Sequence, residues 1–348
     1  MAESTIRWER FPRIASTNRA KTWLLIQQNV GLARNTILAY ARALESYLDF
    51  AAAHHIDIDR ASREHVALYV HDLLSRPSPR GTAVRRLDSG VGLANATLQQ
   101  RLVAVRLFYD YLVEEGVRAT NPVGRGRYTP GRSAGGTRGL LPRYQTLPWI
   151  PADDDWLRIL QAARVEPLRN RLMLALAYDC ALRREELCGV ETRDIDPANR
   201  LVRIRAEITK GRRERIVPYT LLTSALYAQY LGERRLLSQQ AGPLFLSESR
   251  RNRARPLTLW TWSKVVARLA AASGVTRFTT HTPRHLRLTD LARSGWDVHE
   301  IAQFAGHRST QTTLQYIHLS GRDLAQRLER SMERIHTWRE RLTAEMLQ

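Results

Sequence analysis

Lysine is nearly missing from this chain, although the chain is strongly basic. Only Lys21, Lys210 and Lys264 stand among its 54 basic residues, and the 34 acidic ones leave a net charge of +20 over 348 residues. Cysteine is scarcer still, with Cys180 and Cys188 alone. Two thiols exclude a disulfide scaffold and fit no zinc spacing, so buried free cysteines in a reducing compartment are expected. No run of about 18 apolar residues is present to cross a bilayer. The opening segment MAESTIRWERF lacks the apolar stretch of a signal peptide. These absences point to a soluble, cytoplasmic protein with no membrane partner.

What is present is length enough for two domains, each with a core of its own. The excess of positive charge points to a polyanion, DNA or RNA, against the plainer alternative of a basic surface kept for solubility. The shortage of lysine sharpens one position. Arginine holds a phosphate but cannot release a proton near neutral pH, whereas lysine can. Lys210 sits in Thr209-Lys210-Gly211-Arg212, between the alternating segments Leu201–Arg205 and Arg215–Pro218. That pattern predicts a β-hairpin with Lys210 on its turn.

Residues 16–122 read as a helical bundle. Asn35–Tyr40 leads into Leu44, Tyr47, Leu48 and Phe50 at helical spacing, a second helix covers Arg63–Leu74, and Asn95-Ala96-Thr97 starts a third through Leu102, Val105, Phe108, Tyr109 and Leu112. Between the second and third, Arg76–Leu93 is rich in Pro, Gly, Ser and Arg and reads as a loop. Residues 123–152 form a basic, glycine-rich linker; from 116 to 152 there are six arginines and no acid. A solvated spacer and a strap across a DNA backbone both fit that composition. From Asp153 a second domain follows, with helices expected over Asp153–Val165, Arg169–Cys180, Thr220–Leu237, Leu259–Ala272, His281–Ser294, Val298–Ala305 and Thr310–Tyr316 around the hairpin. A last amphipathic helix is expected over Asp323–Leu347, with Leu324, Leu328, Met332 and Ile335 on one face. The fold class is therefore mostly α with a small antiparallel β-sheet.

Several segments carry residues suited to phosphate chemistry. Arg183 and Glu186 lie three apart on one helical face, where the carboxylate can hold the guanidinium, though alone this is a common surface ion pair. His281-Thr282-Pro283-Arg284 starts a helix, with Thr282 or a neighbour expected as cap and Pro283 in the first turn. The amide-rich end of such a helix favours a phosphate. Gly306 allows a tight turn into His307, and Tyr316 follows nine residues later. Each piece alone has an ordinary structural explanation, and a tyrosine at helical spacing most often only packs.

Taken in order, Leu182–Leu187, Ile208–Pro218, His281–Leu291 and Ala305-Gly306-His307 through Tyr316-Ile317-His318 resemble the tyrosine recombinases, the phage integrase family. The resemblance is close over 153–320 and loose over 16–121. It implies a core-DNA-binding bundle over 16–122, a catalytic domain over 153–320, and a C-terminal helix over 321–348 that packs either on its own domain or into a neighbouring subunit. It implies that Tyr316 attacks a DNA phosphate to give a 3′-phosphotyrosyl link and a free 5′-hydroxyl, which conserves the bond for rejoining. Arg183 and Arg284 would clamp the phosphate, His307 would donate to it, His281 would accept the tyrosine proton, and Lys210 would protonate the departing 5′-oxygen. Neither a metal nor another cofactor is implied. Double-stranded DNA is the implied partner, bound by a homo-tetramer on two sites, with room for accessory recombination proteins. Arg184-Glu185 and Ala305 depart from the family's usual residues, outside the reacting atoms. The long loop and linker favour an integrase or transposase of a mobile element over an Xer-type chromosome-dimer resolvase. A type IB topoisomerase and a catalytically idle DNA-binding regulator are the remaining alternatives.

Overall fold

The apolar spacing of the N-terminal third closes into a bundle of helices. A computed structural model describes residues 6–76, 95–123, 147–317, 339, 341 and 343–346. The chain divides into two units, Met1–Gln145 and Thr146–Gln348. In the first, α1 (Pro12–Ser16), α2 (Asn18–Asn29), α3 (Arg34–Ala53), α4 (Arg63–Ser75) and α5 (Asn95–Glu114) surround one apolar core. Ile37, Ala41, Leu44, Tyr47, Leu48 and Ala51 of α3 are buried at three- and four-residue spacing, as one packed helix face requires. They meet Val105, Phe108, Tyr109 and Leu112 of α5. The Tyr47 and Tyr109 hydroxyls, both inside this core, satisfy one another at 2.6 Å. The core also takes in Ile6, Phe11 and Ile14, ahead of the first helix read from sequence. Their segment is a 3-10 turn at Trp8–Arg10 and the five residues of α1, too short to show a period. The Arg76–Leu93 loop lies almost wholly outside the described residues.

The second unit is built around α7 (Leu168–Asp179), which is buried on nearly all sides. Its buried polar groups are therefore paired, as burial demands. Arg169 donates to the Leu246 carbonyl at 2.9 Å. Asp179 accepts from the Thr220 amide at 2.8 Å and from the Thr220 and Thr223 hydroxyls, both at 2.7 Å. The remaining helices are α6 (Asp153–Ala163), α8 (Arg184–Gly189), α9 (Leu221–Leu237), α10 (Leu259–Ser273), α11 (Thr282–Arg293), α12 (Val298–Ala305) and α13 (Gln311–Ile317).

The predicted hairpin is present as β2 (Leu201–Ile204) against β3 (Arg215–Pro218), antiparallel, with Val202 opposite Val217 and Ile204 opposite Arg215. A two-residue strand, β1 (Ile195–Asp196), adds a third member on the outer side of β2. It is too short to leave a sequence signature. No helix among the described residues is long and apolar enough to cross a membrane. Both cysteines are free, Cys180 buried and Cys188 half-buried. Burial pushes both thiols up, that of Cys188 to about 12. The predicted helix over Asp323–Leu347, with its apolar face, lies mostly outside the described residues.

Candidate active site

Two turns aim the site. After α7 the chain passes through Ala181, whose φ of 47° is left-handed backbone, a conformation that costs a side-chain-bearing residue about 1–2 kcal/mol. The turn swings Arg183 out at the head of α8. At the far end of α12, Gly306 caps the helix with φ 63°, and a Cβ there would lie 3.0 Å from Arg215 Nη1. Glycine thus meets two demands at once, a left-handed C-cap and a guanidinium against its backbone. His307 leaves this turn toward the site.

Glu186 is the anchor. Its side chain is wholly buried and faces two guanidiniums. Arg183 Nη1 reaches Oε1 at 2.8 Å, and the Arg183 backbone N–H donates to Oε2 at 3.0 Å. Arg215 closes a forked pair from β3, with Nη2 to Oε2 at 2.6 Å and Nη1 to Oε1 at 3.1 Å. Burial alone would raise the Glu186 pKa. The Arg215 hydrogen bonds and charge, joined by the Arg183 amide and charge, outweigh it and hold the carboxyl at about 2. Arg215 Nε donates to the Phe304 carbonyl at 3.0 Å, tying β3 to the end of α12.

Arg284, only 3% exposed, completes the cationic set. Nη1 donates to the Ala181 carbonyl, Nη2 to the Ala305 carbonyl at 2.7 Å, and Nη2 lies 3.0 Å from His307 Nε2. Arg183 Nη1 shares the same Ala305 carbonyl at 3.4 Å. Burial, reinforced by the Arg183 charge, lowers the Arg284 pKa to about 9, still cationic at neutral pH. Three guanidiniums therefore gather around a single carboxylate, and two positive charges are left without a counter-charge from Glu186. Such a balance is costly inside a protein and suits a bound anion.

The histidine tautomer follows from these contacts. A guanidinium only donates, so His307 Nε2 accepts from Arg284 and its proton sits on Nδ1. Nδ1–H then donates to the buried Thr313 Oγ1 at 2.8 Å. Burial, then the charges of Arg284, Arg183 and Arg215, push the His307 pKa to about 3 against the opposing Glu186, so the ring is neutral.

Tyr316, on α13, is 3% exposed. Its ring stacks on His307, with centroids 6.1 Å apart and planes 9° apart. Burial raises its pKa, and Arg284 chiefly opposes that rise. The hydroxyl lies 2.9 Å from Nδ1 of His285, a residue the sequence reading had passed over. His281, at the head of α11, lies one ring farther out, 6.2 Å from the His285 centroid, with its Nδ1 3.4 Å from Thr280 Oγ1. Its side chain caps no helix N–H, and the Thr282 hydroxyl instead accepts the Thr279 amide at 2.9 Å. Pro283 stands in the first turn as expected. Burial lowers the His281 pKa, with Arg284, Arg184 and Arg183 adding to the effect and Glu185 opposing it.

Arg183, Arg284, His307 and Tyr316 are thus brought together, His281 borders them, and Lys210 stands exposed on the β2–β3 turn. Thr209 closes that turn, its hydroxyl accepting the Arg213 amide at 3.1 Å. Arg308, next to His307, donates to the Gly211 carbonyl at 3.2 Å, so the Lys210 turn is tied to the His307 segment. Sequence reasoning missed Arg215 and His285. Among the described residues no three His, Cys, Asp or Glu side chains gather as metal ligands.

Comparison with known proteins gives this geometry a context. Residues 152–322 match the model of the "Phage integrase family", and residues 23–116 match "Phage integrase, N-terminal SAM-like domain". The tyrosine recombinase XerC of Mycobacterium bovis (strain BCG / Pasteur 1173P2) is 32% identical over 257 residues, 71% of this chain and 79% of that protein. The tyrosine recombinase XerD of Corynebacterium glutamicum is 28% identical over 316 residues, 88% and 94% of the two chains. Among solved structures, XerH site-specific recombinase bound to palindromic difH substrate aligns with TM-score 0.65 at 18% identity, over 94% of this chain and 91% of that one. The Tn1549 transposon integrase with transposon right end DNA aligns with TM-score 0.63 at 16% identity, over 90% and 97%. At these identities the structural likeness speaks to the fold alone.

Proposed function

This chain belongs to the phage integrase family, the tyrosine recombinases, and on that premise we propose that Tyr316 cuts and rejoins double-stranded DNA through a 3′-phosphotyrosyl intermediate. One observation supports the assignment of roles: two guanidiniums paired with one buried carboxylate and a third, Arg284, beside them without a carboxylate partner, set against a buried phenol. A phosphodiester supplies the missing negative charge. Arg183 and Arg284 hold its non-bridging oxygens and offset the charge that grows as the phenol oxygen approaches phosphorus. Glu186 and Arg215 act one layer behind, fixing the direction of Arg183.

His307 joins the phosphate as a donor once Arg284 turns to the substrate and frees Nε2 to carry a proton. Lys210, at its exposed turn, supplies the proton that the 5′-oxygen needs on departure. The resemblance gives the tyrosine proton to His281; the group in contact with the hydroxyl is His285. A homo-tetramer on two DNA sites, with the segment 321–348 packed in cis or exchanged between subunits, is the assembly such chemistry needs to swap strands. Accessory proteins have room in that scheme, and the DNA acted on lies in the cytoplasm.

For the biological role, integration, excision or transposition of a mobile element is the first proposal, on the strength of the long Arg76–Leu93 loop and the 123–152 linker. Chromosome-dimer resolution of the Xer type is the second, favoured by the XerC relative at 32% identity. Sequencing the DNA ends captured by the protein separates these roles, because element termini and a chromosomal site differ. Relaxed plasmid without recombined product would instead indicate a type IB topoisomerase.

The experiment that tests the chemistry is denaturing-gel detection of protein joined to DNA. Tyr316→Phe is expected to abolish the covalent adduct while DNA binding persists in a mobility-shift assay. An adduct that survives this substitution removes Tyr316 from the nucleophile's role.

A further inference from the structure

His285 Nδ1 lies 2.9 Å from the Tyr316 hydroxyl, within hydrogen-bond distance. His285 follows Arg284 directly and lies four residues after His281, so the two histidines share one face of α11 while Arg284 points elsewhere. Tyr316 thus has two imidazole neighbours, His307 stacked with it and His285 tilted at 33° with centroids 5.6 Å apart. We propose that His285 Nδ1 is the base that accepts the Tyr316 proton during DNA cleavage, with His281 left to the outer edge of the site. The inference rests on Tyr316 being the nucleophile.

Geometry carries the assignment. A general base must lie within hydrogen-bond reach of the proton it takes. His285 Nδ1 meets that condition at 2.9 Å, whereas the His281 ring neighbours His285, centroids 6.2 Å apart, and makes its own contact with Thr280 Oγ1. The charge state agrees. Burial, then the neighbouring His281 and Arg284, lower the His285 pKa to about 4, so the ring is neutral at pH 7 and offers a lone pair. With the ring proton on Nε2, the phenol donates to Nδ1. The groups facing His285 are His281 and Arg284 from its own helix and Tyr316 from α13. A phosphate anion entering beside Arg284 weakens the repulsion that keeps His285 neutral, so the ring becomes more basic when substrate arrives.

The step balances. As Tyr316 Oη forms its bond to phosphorus, the phenol proton passes to His285 Nδ1. The P–O5′ bond breaks, and its electron pair takes a proton from Lys210. The products are a phosphotyrosine, a 5′-hydroxyl, protonated His285 and neutral Lys210. Rejoining runs the same path backwards: the attacking 5′-hydroxyl gives its proton to Lys210, and the departing phenolate recovers one from His285.

The test is made on the full chain with a nicked duplex whose sequence is that of the ends captured by the wild type. Single-turnover adduct formation is measured for His285→Asn, whose side-chain oxygen or nitrogen takes the place of Nδ1, and for His285→Gln and His281→Gln. Each is combined with either tyrosine or difluorotyrosine, a more acidic phenol, at position 316. Loss of the base is expected to slow cleavage by roughly 10²–10⁴-fold. The acidic phenol is expected to restore at least tenfold in the His285 variants and to change the wild type and His281→Gln little. Retained duplex binding shows that the variants are folded. An undiminished rate in His285→Asn and His285→Gln overturns the proposal, as does equal gain from the acidic phenol in every background, or rescue confined to His281→Gln. A wild type that forms no adduct at all overturns the Tyr316 reading instead.

Discussion

At the residue scale, Glu186 is the side chain on which the site's order depends most. Its carboxyl sits at about 2, against 4.5 for an ordinary glutamate, because the folded protein favours the charged form. The resulting stability is fully present above about pH 4.5 and is lost as pH falls from there through about 2. Glu186→Gln is expected to cost about 3–5 kcal/mol near neutral pH, since it leaves two guanidiniums short of a partner. Urea unfolding of both proteins at pH 7 and pH 3 checks this, and the gap should narrow at the lower pH. The Arg183–Glu186 pair was legible from spacing; its second guanidinium was not. Arg215 is one arginine among many, but the strand alternation held a clue. With Val217 inward and Ile216 outward, 61% exposed, Arg215 has to face the interior with Val217. His285 had a similar clue in its four-residue step from His281. Neither could be acted on from sequence, because the contact that gives each its meaning comes from a segment remote in the chain.

At the element scale, the helices α4, α5, α6, α7, α9, α10, α11, α12 and α13 fall within about two residues of their expected ends, the usual uncertainty of such boundaries. Long apolar periods and the Gly306 stop made them readable. The five-residue α1 and the two-residue β1 carry no period and owe their form to packing. The expected histidine-arginine helix start is also present, but with Thr282 tied back to Thr279 in place of a cap on the helix amides. The turn at Gly306 offers a test of how one element places another. Gly306→Ala adds a left-handed penalty of about 1–2 kcal/mol and crowds Arg215, which lies 3.0 Å from the new carbon. A lowered urea midpoint with unchanged slope is expected, together with slower adduct formation, because Arg215, His307 and the two arginine-binding carbonyls all hang on that turn. Full activity in the variant would mean that the turn tolerates a shift.

At the scale of the whole molecule, the charge of +20 was the first sign of a polyanionic partner, and it makes a quantitative claim. If six to ten phosphates are contacted, DNA affinity should fall by roughly 10³–10⁵ between 50 and 200 mM salt. Fluorescence anisotropy across that range measures it, and a flat response would shift the weight from charge to direct base contacts. The way the chain closes around Tyr316 was not readable from the sequence, because the contacts that do it come from segments remote in the chain. That closure has a consequence for the cell. On the proposed roles, the hydroxyl of Tyr316 rests turned inward onto His285, and the Arg284 guanidinium is occupied with the Ala181 and Ala305 carbonyls. The same proposal makes nicking conditional on a site that draws these side chains outward, so that resting contact alone would leave a strand whole.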